Sequence, residues 1–224
     1  MKLKLLFATI LLSLFVLSAK AQVINAYAKV TNVAGSILTL SIVDESSDTF
    51  EDGEKIIIMQ MQDDVIGANT ANNSSFGDLS DIQNAGYYEI VTISTHTESA
   101  GIPSTITIVE TLSATFNTGA NSSVQIISFP TLGSPDYITT ANISALNWDG
   151  DIGGVVAFNV AGVLTLAHNI SADAAGFRGG NANADGNSAA CTEGTFRTTS
   201  QDNFADKGEG RRCPCRRRGS ETDI

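Results

Sequence analysis

Residues 55–62 read Lys-Ile-Ile-Ile-Met-Gln-Met-Gln, and this run decides the fold class. It is rich in strand formers and apolar on both faces at its start, as a strand covered on both sides would be. On its N-terminal side, Ser36 to Ile42 (SILTLSI) alternates and predicts Leu38, Leu40 and Ile42 on one face. On its C-terminal side, Gly86 to Thr95 and Ser104 to Leu112 are two more strand-like runs. Glu98 to Pro103 joins them, and its Gly101 and Pro103 suit a hairpin loop. Ser123 to Phe129 is a further β run ahead of Pro130. Five or six strands with irregular loops predict an all-β module, a small antiparallel sandwich or barrel, over residues 22–130. The polar insert from Asp63 to Asn84, with Asn69, Asn72, Asn73 and Asp78, reads as a long solvated loop.

Thr131-Leu132-Gly133-Ser134-Pro135 marks a boundary, after which the texture changes. Tyr137 to Thr139 and Ile143 to Leu146 are short β pieces, followed by GGVVAFNV (153–160) and GVLTLAHNI (162–170). In the first long run Val156, Phe158 and Val160 share a face. In the second, Leu164, Leu166, His168 and Ile170 form the apolar side. Only Ala161-Gly162 separates the runs, so a two-residue hairpin and a bend within one coil of a solenoid both remain open. Short strands, small corner residues and Asn/Gly/Asp-rich connections favour the start of a parallel β-helix over residues 136–210.

The first 21 residues set the compartment. Lys2 and Lys4 precede a predominantly apolar run from Leu5 to Leu17, and Ala19-Lys20-Ala21 has the small-x-small pattern of a signal peptidase site. The run is shorter than the roughly 20 apolar residues a spanning helix needs. Residues 1–21 are therefore expected to be a signal peptide, cleaved between Ala21 and Gln22, that hands the chain to the export machinery. A secreted or cell-surface location follows. Residues 22–210 carry five basic residues against 22 acidic ones, a formal charge of −17, which repels phosphate backbones and argues against nucleic acid as a partner. Three cysteines, Cys191, Cys213 and Cys215, imply no disulfide framework, so packing and strand pairing must hold the fold.

Candidate chemistry is thin. Asn181, Asn183 and Asp185, with Gly186, place oxygen ligands at alternating positions like the opening of a calcium loop. Thr192 stands where the bidentate acid belongs and Glu193 comes one residue late, so a Gly/Asn turn is the stronger reading. Asp149-Gly150-Asp151 is likewise a turn first and a cation ligand second. His96 and His168 have no nearby nucleophile motif, and no Gly-x-Ser-x-Gly, His-Glu-x-x-His or phosphate loop occurs. Gly176 to Gly180 is Gly-rich but lacks the strand-to-helix setting of a dinucleotide site. No cofactor is expected. Asn72, Asn73, Asn121, Asn142 and Asn169 open Asn-x-Ser sequons, read as compositional coincidences. Tyr87, Tyr88 and Trp148 could stack on sugars, with core or sheet-face packing as the default.

The run GGVVAFNVAGVLTLAHNISADAAGFRGG, residues 153–180, resembles a segment of large exported surface proteins of Bacteroidota. FEDGEKIIIMQMQ (50–62) and NAGYYEIVTI (84–93) look like the β module that precedes such Gly-rich, β-helix-like regions. The resemblance covers about residues 22–210. It implies an adhesin-like or structural protein of type IX secretion, acting on surface polysaccharide or other cell-surface proteins, and it supplies no catalytic residues. Members continue into further coils and a sorting domain, whereas this chain turns at Gly210 into RRCPCRRRGSETDI. Residues 211–224 are therefore read as a frameshifted, disordered basic tail on a fragment of a longer protein. Cys213-Pro214-Cys215 would supply at most half a zinc site. The expected function is a non-enzymatic surface scaffold. The alternative is a carbohydrate-active β-helix enzyme such as a polysaccharide lyase, for which Arg178, Arg197, Asp173 and Asp185 are the candidates.

Overall fold

The computed structural model of the chain describes residues 21–63, 83–119 and 122–177. All regular structure among them is strand. Six strands, β1 (Tyr27–Ala34), β2 (Ile37–Asp44), β3 (Lys55–Gln62), β4 (Tyr88–Ser99), β5 (Ile102–Ile108) and β6 (Ser123–Ser128), close into a barrel in the order β1-β2-β5-β4-β3-β6. Every neighbouring pair is antiparallel. Of the two sequence-level alternatives, sandwich and barrel, the chain adopts the barrel, which leaves no strand edge to cover.

The period-two pattern fills the interior. Val30, Leu38, Leu40, Ile56, Ile58, Val91, Ile93, Ile106, Ile108, Val124 and Ile126 point inward from the six strands. Ala26 and Ala28 make room beside them, and Phe50 and Phe116 enter this core from the β2–β3 and β5–β6 connections. A buried aliphatic side chain of this kind stabilises the fold by about 1.5–3 kcal/mol. β3 runs from Lys55 to Gln62, as the sequence predicts.

Two expectations change. Ile42 does not continue the buried row of Leu38 and Leu40; it is exposed and has φ 49°. The β1–β2 register jumps there, with Ala28 opposite Val43 and Lys29 opposite Ser41. Ile42 is thus the extra residue of a β-bulge, and the alternation slips by one beyond it. The loop expected over Glu98 to Pro103 shrinks to Ala100-Gly101, because Glu98 pairs with Pro103 and Ser99 with Ile102. Both turn residues have positive φ, 55° and 77°, as the tightest hairpin turn requires.

Beyond the barrel, four two-residue strands pair in parallel. β7 (Tyr137–Ile138) pairs with β9 (Leu164–Thr165), and β8 (Ile143–Ser144) with β10 (Ile170–Ser171). Tyr137 meets Leu164 and Ile143 meets Ile170, each 27 positions on, and Thr131 forms a parallel bridge with Asn159. The hairpin across Ala161-Gly162 does not form. Residues 153–160 form no strand and make no ladder beyond the Asn159 bridge.

Candidate functional site

The outer wall of β1, β6 and β3 is sealed. β6 is buried at all six positions: Val124 and Ile126 face the barrel interior, and Ile127 faces outward with Tyr27, Ile57 and Met59. Leu146, Ile152, Val155 and Ala157 cover this wall. The double-sided apolar run at 55–62 is thereby explained.

Three fully buried polar side chains lock the cover in place. Gln125 acts as a peptide mimic: its Nε2 donates to the Gly153 carbonyl and its Oε1 accepts the Gly153 N–H, both at 2.9 Å. Asn25 donates from Nδ2 to the carbonyls of Ser128 and Ala157, while its Oδ1 accepts the Ala157 N–H at 3.2 Å. The Tyr27 hydroxyl donates to the Val155 carbonyl at 2.6 Å. Burial pushes its pKa up to about 12, with the Leu146 N–H opposing the rise and Asp44 adding to it. At the rim, Lys29 pairs with Asp151. Asp149 Oδ1 accepts the N–H groups of Asp151 and Ile152, so Asp149-Gly150-Asp151 is the turn the sequence favours.

The parallel layers differ at their two edges. On one side of β8, the Gln22 N–H donates to the Asn142 carbonyl at 2.7 Å and the Gln22 carbonyl accepts the Ser144 N–H at 2.9 Å. On the other side, Ile143 and Ala145 donate to the carbonyls of Asn169 and Ser171 on the β10 segment. Beyond β9 and β10 no further strand pairs among the described residues. Val163 and Leu166 near that edge are 65% and 62% exposed, and Leu164, on the apolar side the sequence marks, is exposed as well. His168 is also exposed, its N–H donating to the Thr139 hydroxyl. A signal for this stacking is present in the sequence: Asn142-Ile143-Ser144-Ala145 recurs as Asn169-Ile170-Ser171-Ala172. The register brings the two copies side by side, and Asn142 Oδ1 accepts the Asn169 N–H at 3.1 Å.

Other candidates resolve into local roles. Trp148 is buried, edge-on to Phe177 with ring centroids 5.7 Å apart, and offers no face to a ligand. Tyr87 leans on Phe116, and Tyr88 stands exposed on the outside of β4. His96 Nδ1 lies 2.7 Å from Asp52 Oδ1, and its N–H donates to the same oxygen. That hydrogen bond raises its pKa, with desolvation working against it and the Asp52 charge adding to it. At one end of the barrel, Gln60 donates to the Asn117 carbonyl and accepts its N–H, while Asp63 accepts from Asn117 Nδ2 and the Asn84 N–H. The two ends of the 63–84 insert are thus tied together. An open depression of about 400 Å³ lies beside the β1–β2 turn, lined by Val33, Ser36, Leu112 and Phe116. Among the described residues no cluster of three His, Cys, Asp or Glu could hold a metal.

Asn181, Asn183, Asp185, Arg178, Arg197, the three cysteines, residues 1–20 and the 211–224 tail lie outside the described residues. Asp173, the remaining lyase candidate, is exposed beside β10. No family model, no curated protein and no solved structure matches this chain.

Proposed function

We propose that this chain is an exported, non-enzymatic scaffold, secreted or held at the cell surface, in which the barrel caps the first coils of a parallel β-helix. One observation carries the reading: an identical tetrapeptide stacks on itself in parallel 27 residues on, with one edge closed by Gln22 and no further strand paired at the other among the described residues. A solenoid needs its first coil covered, because each coil buries its faces only against neighbours. In this reading the barrel wall and Gln22 cover the first coil, and the edge opposite Gln22 is the side on which further coils would add.

Export is supported by the sequence pattern of residues 1–21, with its Ala19-Lys20-Ala21 cleavage motif. Gln22, the residue a peptidase would expose after Ala21, already engages both Asn142 and Ser144. Surface polysaccharide and other cell-surface proteins are the partners that suit such a scaffold, and the basic tail from Arg211 is foreign to it. The test is fractionation of the producing cells with mass analysis of the product. The expected product lies outside the inner membrane and begins at Gln22. A cytoplasmic product still bearing Met1 refutes export, and turnover of any polysaccharide by the pure protein refutes the non-enzymatic reading.

A further inference from the structure

The face formed by Gln22, β8 and β10 carries a feature that neither the cap nor the barrel uses. Asn142 and Ser144 alternate onto one side of β8, and Asn169, Ser171 and Asp173 onto the same side of the β10 segment. The parallel register stacks Asn142 on Asn169 and Ser144 on Ser171, so amides and hydroxyls form columns spaced by about 4.8 Å, the distance between strands. With Asn147 they line an open depression of about 280 Å³. Ile143, Ala145 and Trp148 are buried, so the face stands on a packed base.

The polar groups on this face are only partly used. Asn142 Oδ1 accepts the Asn169 N–H, and Ser171 Oγ accepts the Asp173 N–H. The side-chain amides of Asn147 and Asn169 and the Ser144 hydroxyl have no partner among the described residues. Buried polar groups without partners would be costly, but at an open surface they are free to exchange water for a ligand. Asp173 is the single charged side chain in the lining among the described residues. A face of amides, hydroxyls and one carboxylate offers donors and acceptors in alternation, which matches the vicinal hydroxyls of a sugar. The lone negative charge and the acidic body disfavour a polyanion.

We infer that this face binds a neutral glycan, laid across the strands along the Asn and Ser columns. The inference rests on the exported-scaffold reading and names its ligand class. A linear polymer suits the geometry because each added coil repeating Asn-Ile-Ser would lengthen both columns by one strand spacing. Ala21 also lines the depression, so cleavage before Gln22 removes that part of its lining.

The experiment is calorimetric titration of the exported protein with neutral glucan and mannan hexamers, with an oligogalacturonate and with calcium chloride alone. A triple variant, Ser144→Ala, Asn147→Ala and Asn169→Ala, removes the side chains without protein partners, so its melting temperature should stay near that of the parent. Binding of a neutral hexamer, weakened about tenfold or more in the triple variant and unchanged in Tyr88→Ala, supports the site. Failure of both neutral hexamers to bind, tighter binding of the polyanion, heat from calcium alone, or undiminished binding by the triple variant overturns it. A protein that begins at Gln22 and binds no glycan overturns the groove alone, whereas a retained Met1 overturns the export reading beneath it.

Discussion

Replacing Gln125 with Ala tests whether the polar lock, rather than apolar contact alone, holds the parallel layers to the barrel. The side chain is fully buried and makes two reciprocal hydrogen bonds to Gly153, itself buried. Truncation leaves a backbone N–H and a carbonyl unpaired away from water, each costing about 1–3 kcal/mol. The space vacated between Met59 and Gly153 adds a cavity term, so the total loss is about 3–5 kcal/mol. For a chain of this length each kcal/mol lowers the melting temperature by about 2–4 °C, which predicts a fall of about 10 °C. Gln125→Leu should cost nearly as much, because it keeps the volume but not the bonds. Tyr88→Ala, at an exposed site, should cost within about 0.5 kcal/mol. Thermal unfolding followed by circular dichroism gives the magnitude, and limited proteolysis should show new cleavage within residues 146–157. If Gln125→Ala melts within about 1 °C of the parent, the lock is ornamental and the argument from unpaired backbone groups fails.

Raising the pH should act on the same junction. The folded pKa of Tyr27, about 12, lies above its ordinary value of 10.0, so its stabilisation is complete below pH 10 and is lost as pH rises through 12. The difference corresponds to about 3 kcal/mol, and Tyr27→Phe should flatten stability across that window. For His96 the folded pKa is also raised, so the Asp52 contact contributes below about pH 6.5 and fades as pH rises through the higher folded value. NMR titration of His96 should show its midpoint falling in Asp52→Asn. Gly153→Ala should destabilise far more than Gly35→Ala: both sites have positive φ, but an added Cβ meets the Asn147 carbonyl oxygen at 2.7 Å only at Gly153. Denaturant melts should place Gly35→Ala near about 1–2 kcal/mol and Gly153→Ala clearly above it. Lys29→Met, which breaks a half-exposed ion pair with Asp151, should cost no more than about 1 kcal/mol in the same assay.

The strands were legible because burial leaves a local trace. The double-sided run at Lys55 to Gln62 announces a strand with two covered faces, and its bounds in the structure match. Ile42 was misread because a bulge is a pairing event: it depends on which residue of β1 lies opposite, and alternation carries no trace of that. The parallel region was half legible. Its short strands were visible, and the recurring Asn-Ile-Ser-Ala offered a period of 27 residues, but two copies suffice to establish a register only once they are seen side by side. Leu164 and Leu166 share the apolar side of their run, yet both are exposed, because apolar composition alone does not say whether a face is covered.

By itself, then, the chain's order of residues determined the all-β class, the approximate positions of β2 to β6 and the acidic body. These follow from side-chain chemistry over a few neighbouring positions. Only the tertiary structure decided that the strands close into a barrel, that β7 to β10 pair in parallel, and that Asn25, Tyr27 and Gln125 pin a segment more than twenty positions away. The physical reason is that a buried polar group is satisfied by whatever backbone the fold brings to it. Hydrogen bonds between residues 28 to 132 positions apart leave no periodic mark along the chain.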